Sequence, residues 1–266
     1  MKIALITGAS SGIGMEFAKQ MDEKFTNIDE FWLVARSEDK LRKLEESLLH
    51  KCRVFPMDVT DSKKLKELED TVKESKAEIC FLIGCAGYGM IGPFEDADLS
   101  ETLGMIRLNC EALTEITHRL LPYLGKNARI IHMSSSAAFI PQPDFAVYTA
   151  SKAYVLSFCR ALQKELKGRG ISVTAVCPGP VDTPFFNRAE KDGFTLAIKK
   201  ISLETPQRVV RLALKDAYKR KSKSVCGMPM RIFEVSAKLL PHNIFMEGLV
   251  FLKKLGVGKL AEDQQL

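Results

Sequence analysis

The sequence predicts an α/β protein: one domain built on an open, doubly wound parallel sheet with helices on both faces. Three observations carry this. Short apolar runs such as Lys2 to Thr7 are nearly continuous, as expected for strands buried on both sides. Such runs alternate with helical patterns at roughly 20–40 residue intervals, the spacing of strand–helix–strand units. The length of 266 residues, 46% hydrophobic and 27% charged, suits a single large globular domain over 1–266.

Composition excludes several classes. The formal charge of +6 is dispersed, with a modest cluster around Lys219 to Lys223. Nucleic-acid binding wants a basic stripe interleaved with aromatics, so no nucleic-acid partner is expected. The cysteines number 7 and are scattered, without zinc-like spacing or a disulfide framework. A reducing, cytoplasmic setting is expected. The chain opens directly on a strand, so no leader is expected, and no apolar run reaches the roughly 18 residues of a membrane span.

The first strand runs into Thr7-Gly8-Ala9-Ser10-Ser11-Gly12-Ile13-Gly14, then a helical pattern with Met15, Phe17, Ala18 and Met21. In this context Gly8 allows a tight turn, Gly12 lets backbone approach a pyrophosphate, and Gly14 packs helix on strand. The helix start offers free N–H groups and a partial positive charge to phosphates. The second strand, Phe31 to Ala35, ends in Arg36, where a dinucleotide site reads the adenosine ribose. An acidic residue there selects NAD; Arg36, with Ser11 in reach, favours the 2′-phosphate of NADP(H).

A helix is expected over Glu38 to Leu49 and a third strand over Arg53 to Met57, closed by Asp58-Val59. Asp58 is placed either to accept from an adenine amino group or to cap the helix after Asp61. The fourth strand, Glu78 to Ile83, enters a second glycine turn containing Ala86 and Gly87. A long helix follows from about Leu99 to Leu124, with Asn109 in its middle. Asn is a poor helix-interior residue and needs a partner on an apolar segment.

The fifth strand, Arg129 to Met133, leads into Ser134, Ser135 and Ser136 and a helix from Tyr148 to Leu166. Tyr148 and Lys152 lie four residues apart on one helix face. An ammonium near a phenol favours the phenolate, and a serine adds a hydrogen bond for a carbonyl or alcohol oxygen. The sixth strand, Ile171 to Cys177, ends in Pro178-Gly179-Pro180-Val181-Asp182-Thr183.

The glycine turn, Asn109, the Ser–Tyr–Lys group and PGPVDT, in this order, resemble the short-chain dehydrogenase/reductase family over about residues 1 to 190. The resemblance implies a Rossmann-type sheet of about seven strands, a nicotinamide cofactor and hydride transfer between an alcohol and a ketone. It makes Tyr148 the general acid/base, Lys152 the group that lowers its pKa and holds the ribose, and a serine the partner of the substrate oxygen. The family's thirteen-residue spacing selects Ser135, with Ser134 and Ser136 the alternatives if the loop bends differently. Asn109 would position a water linking Lys152 to solvent, Thr183 would touch the carboxamide, and Val181 would add backbone contacts. A homodimer or homotetramer on the long helices is implied as well. Where the family has Asn-Asn-Ala-Gly, this chain has Gly84-Cys85-Ala86-Gly87: both amides are lost and the backbone facing the ribose is kept.

Residues 184–203, with Phe185, Phe186 and Phe194, are placed to close over the site as a lid. Thr205-Pro206-Gln207 starts a helix, 222–227 reads as a last strand, and 228–266 is a variable apolar segment rich in Met and Phe. That segment completes the core or a dimer, forms an apolar substrate wall, or rests on a membrane with Lys253, Lys254 and Lys259 toward headgroups. An apolar lid predicts a hydrophobic ketone or secondary alcohol, such as a hydroxysteroid or bile acid. A long-chain 3-oxoacyl lipid and a catalytically silent NADP(H)-sensing scaffold are the alternatives.

Overall fold

The computed structural model describes residues 1–185 and 203–254, with side chains described as far as residue 248. Seven parallel strands stand in the order β3-β2-β1-β4-β5-β6-β7. They are β1 (Lys2–Thr7), β2 (Glu30–Ala35), β3 (Lys51–Pro56), β4 (Glu78–Gly84), β5 (Leu124–Met133), β6 (Ser172–Val176) and β7 (Lys223–Ser224). The chain begins at the middle of the sheet, winds to one edge, returns past β1 and winds to the other. The reversal lies between β1 and β4, and a crevice opens there at the carboxyl ends.

Alternation along each strand divides the core in two. Ile3 and Leu5 of β1 face one side with Trp32, Ile79, Leu82 and Ile130; helices α3 (Ser62–Glu74), α5 (Leu113–Leu120) and α6 (Ala146–Glu165) cover them. Ala4 and Ile6 face the other with Phe17, Leu33, Ile83 and Ile131, under α1 (Gly12–Lys24), α2 (Glu38–Glu46) and α7 (Pro206–Tyr218). With both faces covered, β2 has no exposed position. This explains why the central strands read as unbroken apolar runs.

Several expected boundaries change. The long helix predicted over Leu99 to Leu124 is α4 (Leu99–Ile106), a π-helical turn over Arg107–Ala112, α5, and a 3₁₀ turn at Leu121–Tyr123. Pro122 stops the helix, and β5 begins at Leu124, five residues before the predicted start. The helix predicted to Leu49 ends at Glu46, where Ser47 turns its hydroxyl onto the Leu44 carbonyl. The C-terminal segment is two helices, α8 (Met228–Leu239) and α9 (His242–Lys254), parted at Leu240-Pro241. The residue before a proline is pushed to extended backbone, and Leu240 is extended. The other caps follow local chemistry: Asp61 accepts from the Lys63 and Lys64 amides, and Thr205 from Arg208.

Candidate active site

The carboxyl ends of β1, β2, β4, β5 and β6 open into a cavity of about 910 Å³. At one end lies the glycine turn. Gly8 and Gly12 have φ of 69° and 54°, in the region that favours glycine. A Cβ on Gly8 would meet the Ala86 amide nitrogen at 2.7 Å, and one on Gly14 would strike the Gly8 carbonyl. Ser11 is the N-cap of α1, but its hydroxyl caps no amide, and the first turn holds no acidic residue. Free N–H groups therefore meet the cavity with nothing to repel an anion. Ser10 and Ile13 line the same wall, and Thr183 packs across from Gly12.

Arg36 and Lys40 line the far end, both exposed and without an ion pair among the described residues. Lys40 was not foreseen, although its i+4 spacing from Arg36 at a helix start carried the signal. Asp58 also lines the cavity, with Val59. It does not cap the next helix, which Asp61 does. Its Oδ1 accepts from the Thr60 amide at 2.9 Å and the Thr60 hydroxyl at 2.8 Å, fixing a tight turn.

At the other end the structure brings Ser135, Tyr148 and Lys152 together. Tyr148 is buried, stacked on Phe145 with ring centres 4.2 Å apart and tilted against Phe185 at 5.6 Å. Burial pushes its hydroxyl up to about 12, partly opposed by a hydrogen bond from the Ser135 side chain. Lys152 Nζ lies 5.6 Å from the Tyr148 ring centre and donates to the Met133 carbonyl at 2.9 Å. Burial lowers it to about 8, with Cys110, Cys85 and Cys177 acting the other way. The lowering expected from Lys152 does not appear: it is not among the groups that shift Tyr148 here, and burial sets the direction.

The three serines separate. Ser134 Oγ donates to the Lys152 carbonyl at 2.8 Å and is buried, so it is committed to joining β5 to α6. Ser135 Oγ accepts from the Ala137 amide at 3.1 Å and bonds the Tyr148 hydroxyl. Ser136 lines the cavity and fixes the loop through its amide, bonded to Pro178.

Asn109 sits within the π-helical turn, 1% exposed. Its Oδ1 accepts from the Tyr88 amide at 3.1 Å; its Nδ2 donates to the Tyr88 carbonyl at 2.9 Å and to Ser151 Oγ at 3.0 Å. The side chain ties the second glycine turn to α6. A Cβ on Gly87 would sit 2.9 Å from its Oδ1 and 3.3 Å from Lys152 Nζ. Π-helical turns often occur at such positions because the extra residue re-aims a side chain.

Pro178, Gly179, Val181 and Thr183 line the wall after β6, with Val181 bridged to Glu204. Between this wall and Tyr148 the lining is Tyr88, Ile91, Ile140, Met230, Phe233 and Phe245. The last three come from the inner sides of α8 and α9, so the variable end does reach the site. The proposed lid over 184–203 lies largely outside the described residues; Pro184 and Phe185 are described and line the cavity.

The sheet order, the glycine cradle at its reversal and the Ser–Tyr–Lys cluster beside it define a dinucleotide-binding oxidoreductase. The family model described as short chain dehydrogenase matches residues 2–193, and the chain belongs to that family. Sulfoacetaldehyde reductase 2 of Chromohalobacter salexigens is 36% identical over 189 residues, 69% of this chain and 74% of that protein. The 3-oxoacyl-[acyl-carrier-protein] reductase FabG of Thermotoga maritima is 29% identical over 204 residues, 76% of this chain and 83% of that one. A short-chain dehydrogenase from Sphingobium yanoikuyae in complex with NADPH superposes with a TM-score of 0.76 at 26% identity, covering 90% and 93% of the two chains.

Proposed function

We propose that this oxidoreductase uses NADP(H) to interconvert a secondary alcohol and a ketone on an apolar substrate. The observation that carries the reading is the convergence of Ser135, Tyr148 and Lys152 on one cavity whose far end holds two cations, Arg36 and Lys40, without an ion pair among the described residues. The phosphates fit the α1 amides, and a 2′-phosphate fits Arg36, Lys40 and Ser11. The NADPH bound by the short-chain dehydrogenase from Sphingobium yanoikuyae supports the same choice.

A bound nicotinamide supplies or accepts the hydride. In the reductive direction Tyr148 gives its phenolic proton to the substrate oxygen, and Ser135 donates a hydrogen bond to the charge developing there. Lys152 would hold the ribose hydroxyls of the bound cofactor and steady the phenolate that remains. Asn109 holds the turn and helix between which a water relays the proton from Lys152 to solvent. Ala86 and Gly87 would offer bare backbone to the ribose, and Thr183 and Val181, on the wall after β6, would hold the carboxamide.

Substrate class rests on the lining. Six apolar or aromatic side chains surround the approach to Tyr148, with Gln142 among the polar ones. Such a wall gains by burying hydrocarbon and offers little to a small sulfonate of the kind named for the Chromohalobacter relative. A hydroxysteroid or bile acid fits; a long-chain 3-oxoacyl lipid is the second reading, favoured by the Thermotoga relative. Exposed Leu99, Leu103 and Ile106 on α4, near Tyr154 of α6, suit a homo-oligomer built on those helices. The free cysteines accord with a cytoplasmic setting.

The test is consumption of NADPH and NADH over steroid ketones, oxo-bile acids, 3-oxoacyl thioesters and small carbonyls. Turnover with NADPH on one apolar class is expected. Turnover on small sugars alone would overturn the substrate reading, and equal use of NADH would overturn the cofactor reading.

A further inference from the structure

The two sides of α8 have opposite chemistry. Met230, Phe233 and buried Ala237 face inward, the first two into the cavity, and Glu234 is buried against Lys223. The outer side carries Met228, Ile232, Val235 and Leu239, 68%, 61%, 54% and 76% exposed. Their spacing of four, three and four residues puts them on one stripe about three turns long. Leu240 and Ile244, on either side of Pro241, are exposed as well.

Six large exposed apolar side chains, four of them on one helical stripe, exceed the scattered leucines of an ordinary surface. Their charged neighbours are equally one-sided. Arg231 and Lys238 are the exposed charges of α8. The helix's single carboxylate, Glu234, is turned inward and joined to Lys223 and Lys238. On the described part of α9, Glu247 is exposed a turn beyond Ile244. An apolar stripe flanked by cations suits a negatively charged lipid surface, where hydrocarbon buries the stripe and phosphates meet Arg231 and Lys238. A second copy of this chain would set Arg231 and Lys238 against the same cations on an isologous face. Among the described residues no helix is long and apolar enough to cross a membrane, so contact is at the surface.

We propose that the outer side of α8 and the start of α9 dock on anionic bilayer surfaces, so that the helix lining the substrate cavity also rests on lipid. This extends the apolar-substrate reading without depending on it. Met230 and Phe233 lie on the opposite side of the same helix. A lipid-dissolved substrate would then enter beside α8 rather than through water.

The experiment is sedimentation of the full chain with vesicles of phosphatidylcholine alone and with added phosphatidylglycerol, with size-exclusion chromatography alongside. Binding to the mixed vesicles that weakens at high salt is expected, with little binding to phosphatidylcholine alone. The variant Ile232→Glu/Leu239→Glu alters exposed positions only and is expected to keep the wild-type melting temperature while losing at least about tenfold in vesicle affinity. Absence of binding by the unsubstituted protein, or equal binding by a folded variant, would overturn the proposal. So would a wild-type dimer that ignores vesicles and falls apart in the variant, because the stripe would then belong to a second copy.

Discussion

Lys152 Nζ lies 2.9 Å from the Met133 carbonyl, and Lys152 shares its own carbonyl with Ser134 Oγ at 2.8 Å. Both ends of this residue are therefore clasped to the end of β5, one turn of α6 from Tyr148. The clasp explains how an ammonium is held in a buried place before a ligand arrives. It also gives the residue opposite effects on stability and on turnover.

Lys152→Met is expected to abolish turnover and to raise stability at neutral pH. The folded pKa, about 8, lies below the ordinary 10.5. At pH below about 8 both folded and unfolded chains carry the charge, and the fold bears the full burial cost. As pH rises toward 10.5 the folded lysine is already neutral, and the cost disappears. The gain, on the order of 1–3 kcal/mol after the lost Met133 bond, should fade over that window. Melting temperatures of both proteins from pH 7 to pH 11 check it.

Tyr148→Phe keeps the stacking on Phe145 and removes the hydroxyl. NADPH binding, followed by fluorescence, should persist, while turnover falls by at least about 10²-fold. Ser135→Ala should also lower turnover, and Ser134→Ala should act mainly on stability, since its hydroxyl is committed to α6. Comparable kcat losses with unchanged melting for both serines would reverse their assignment.

Removing both cations, Arg36→Ala with Lys40→Ala, is expected to raise KM for NADPH at least about tenfold and to leave KM for NADH nearly unchanged, because only one of the two carries the 2′-phosphate. The single Lys40→Ala should give part of the effect. Equal shifts for both cofactors would remove these residues from cofactor choice.

His132 fills the space beside Gly84: its Nδ1 occupies the place of any Cβ there. The Thr117 hydroxyl donates to Leu113 at 2.6 Å, so His132 Nε2, 2.9 Å from the same oxygen, must be the N–H. Gly84→Ala should destabilise by about 1–3 kcal/mol, and His132→Ala should relieve part of that, a non-additivity a double-mutant cycle reads. Burial lowers His132 to about 4 from 6.5. The stabilisation from keeping it neutral is complete above pH 6.5 and is lost as pH falls through 4. Thermal melts across that range should show the wild-type loss and a flatter curve in His132→Ala.

The glycine cradle, Arg36 and the Tyr148–Lys152 pair were legible in sequence because each is a short-range pattern: a turn, a strand end, one helical turn. The central strands were legible because burial on both faces leaves unbroken apolar runs. What escaped depends on contacts through space. The π-helical turn at Asn109 follows from its bonds to Tyr88 and Ser151, 21 and 42 residues away. The division of labour between Ser134 and Ser135 is set by α6. The missing amide at Gly84 was visible, but its replacement, His132, lies on the neighbouring strand and carries no local signature.

The margins of the sheet have a bearing on behaviour at high concentration. One margin is β3, which presents Lys51 and Arg53 and ends in Pro56; the other is β7, only 2 residues long. A charged, proline-terminated margin and one too short to template a neighbour both discourage strand-to-strand growth. When the protein is concentrated or stored, fibrous β-aggregation should therefore be suppressed from the native state, and the losses to guard against are those that begin with unfolding.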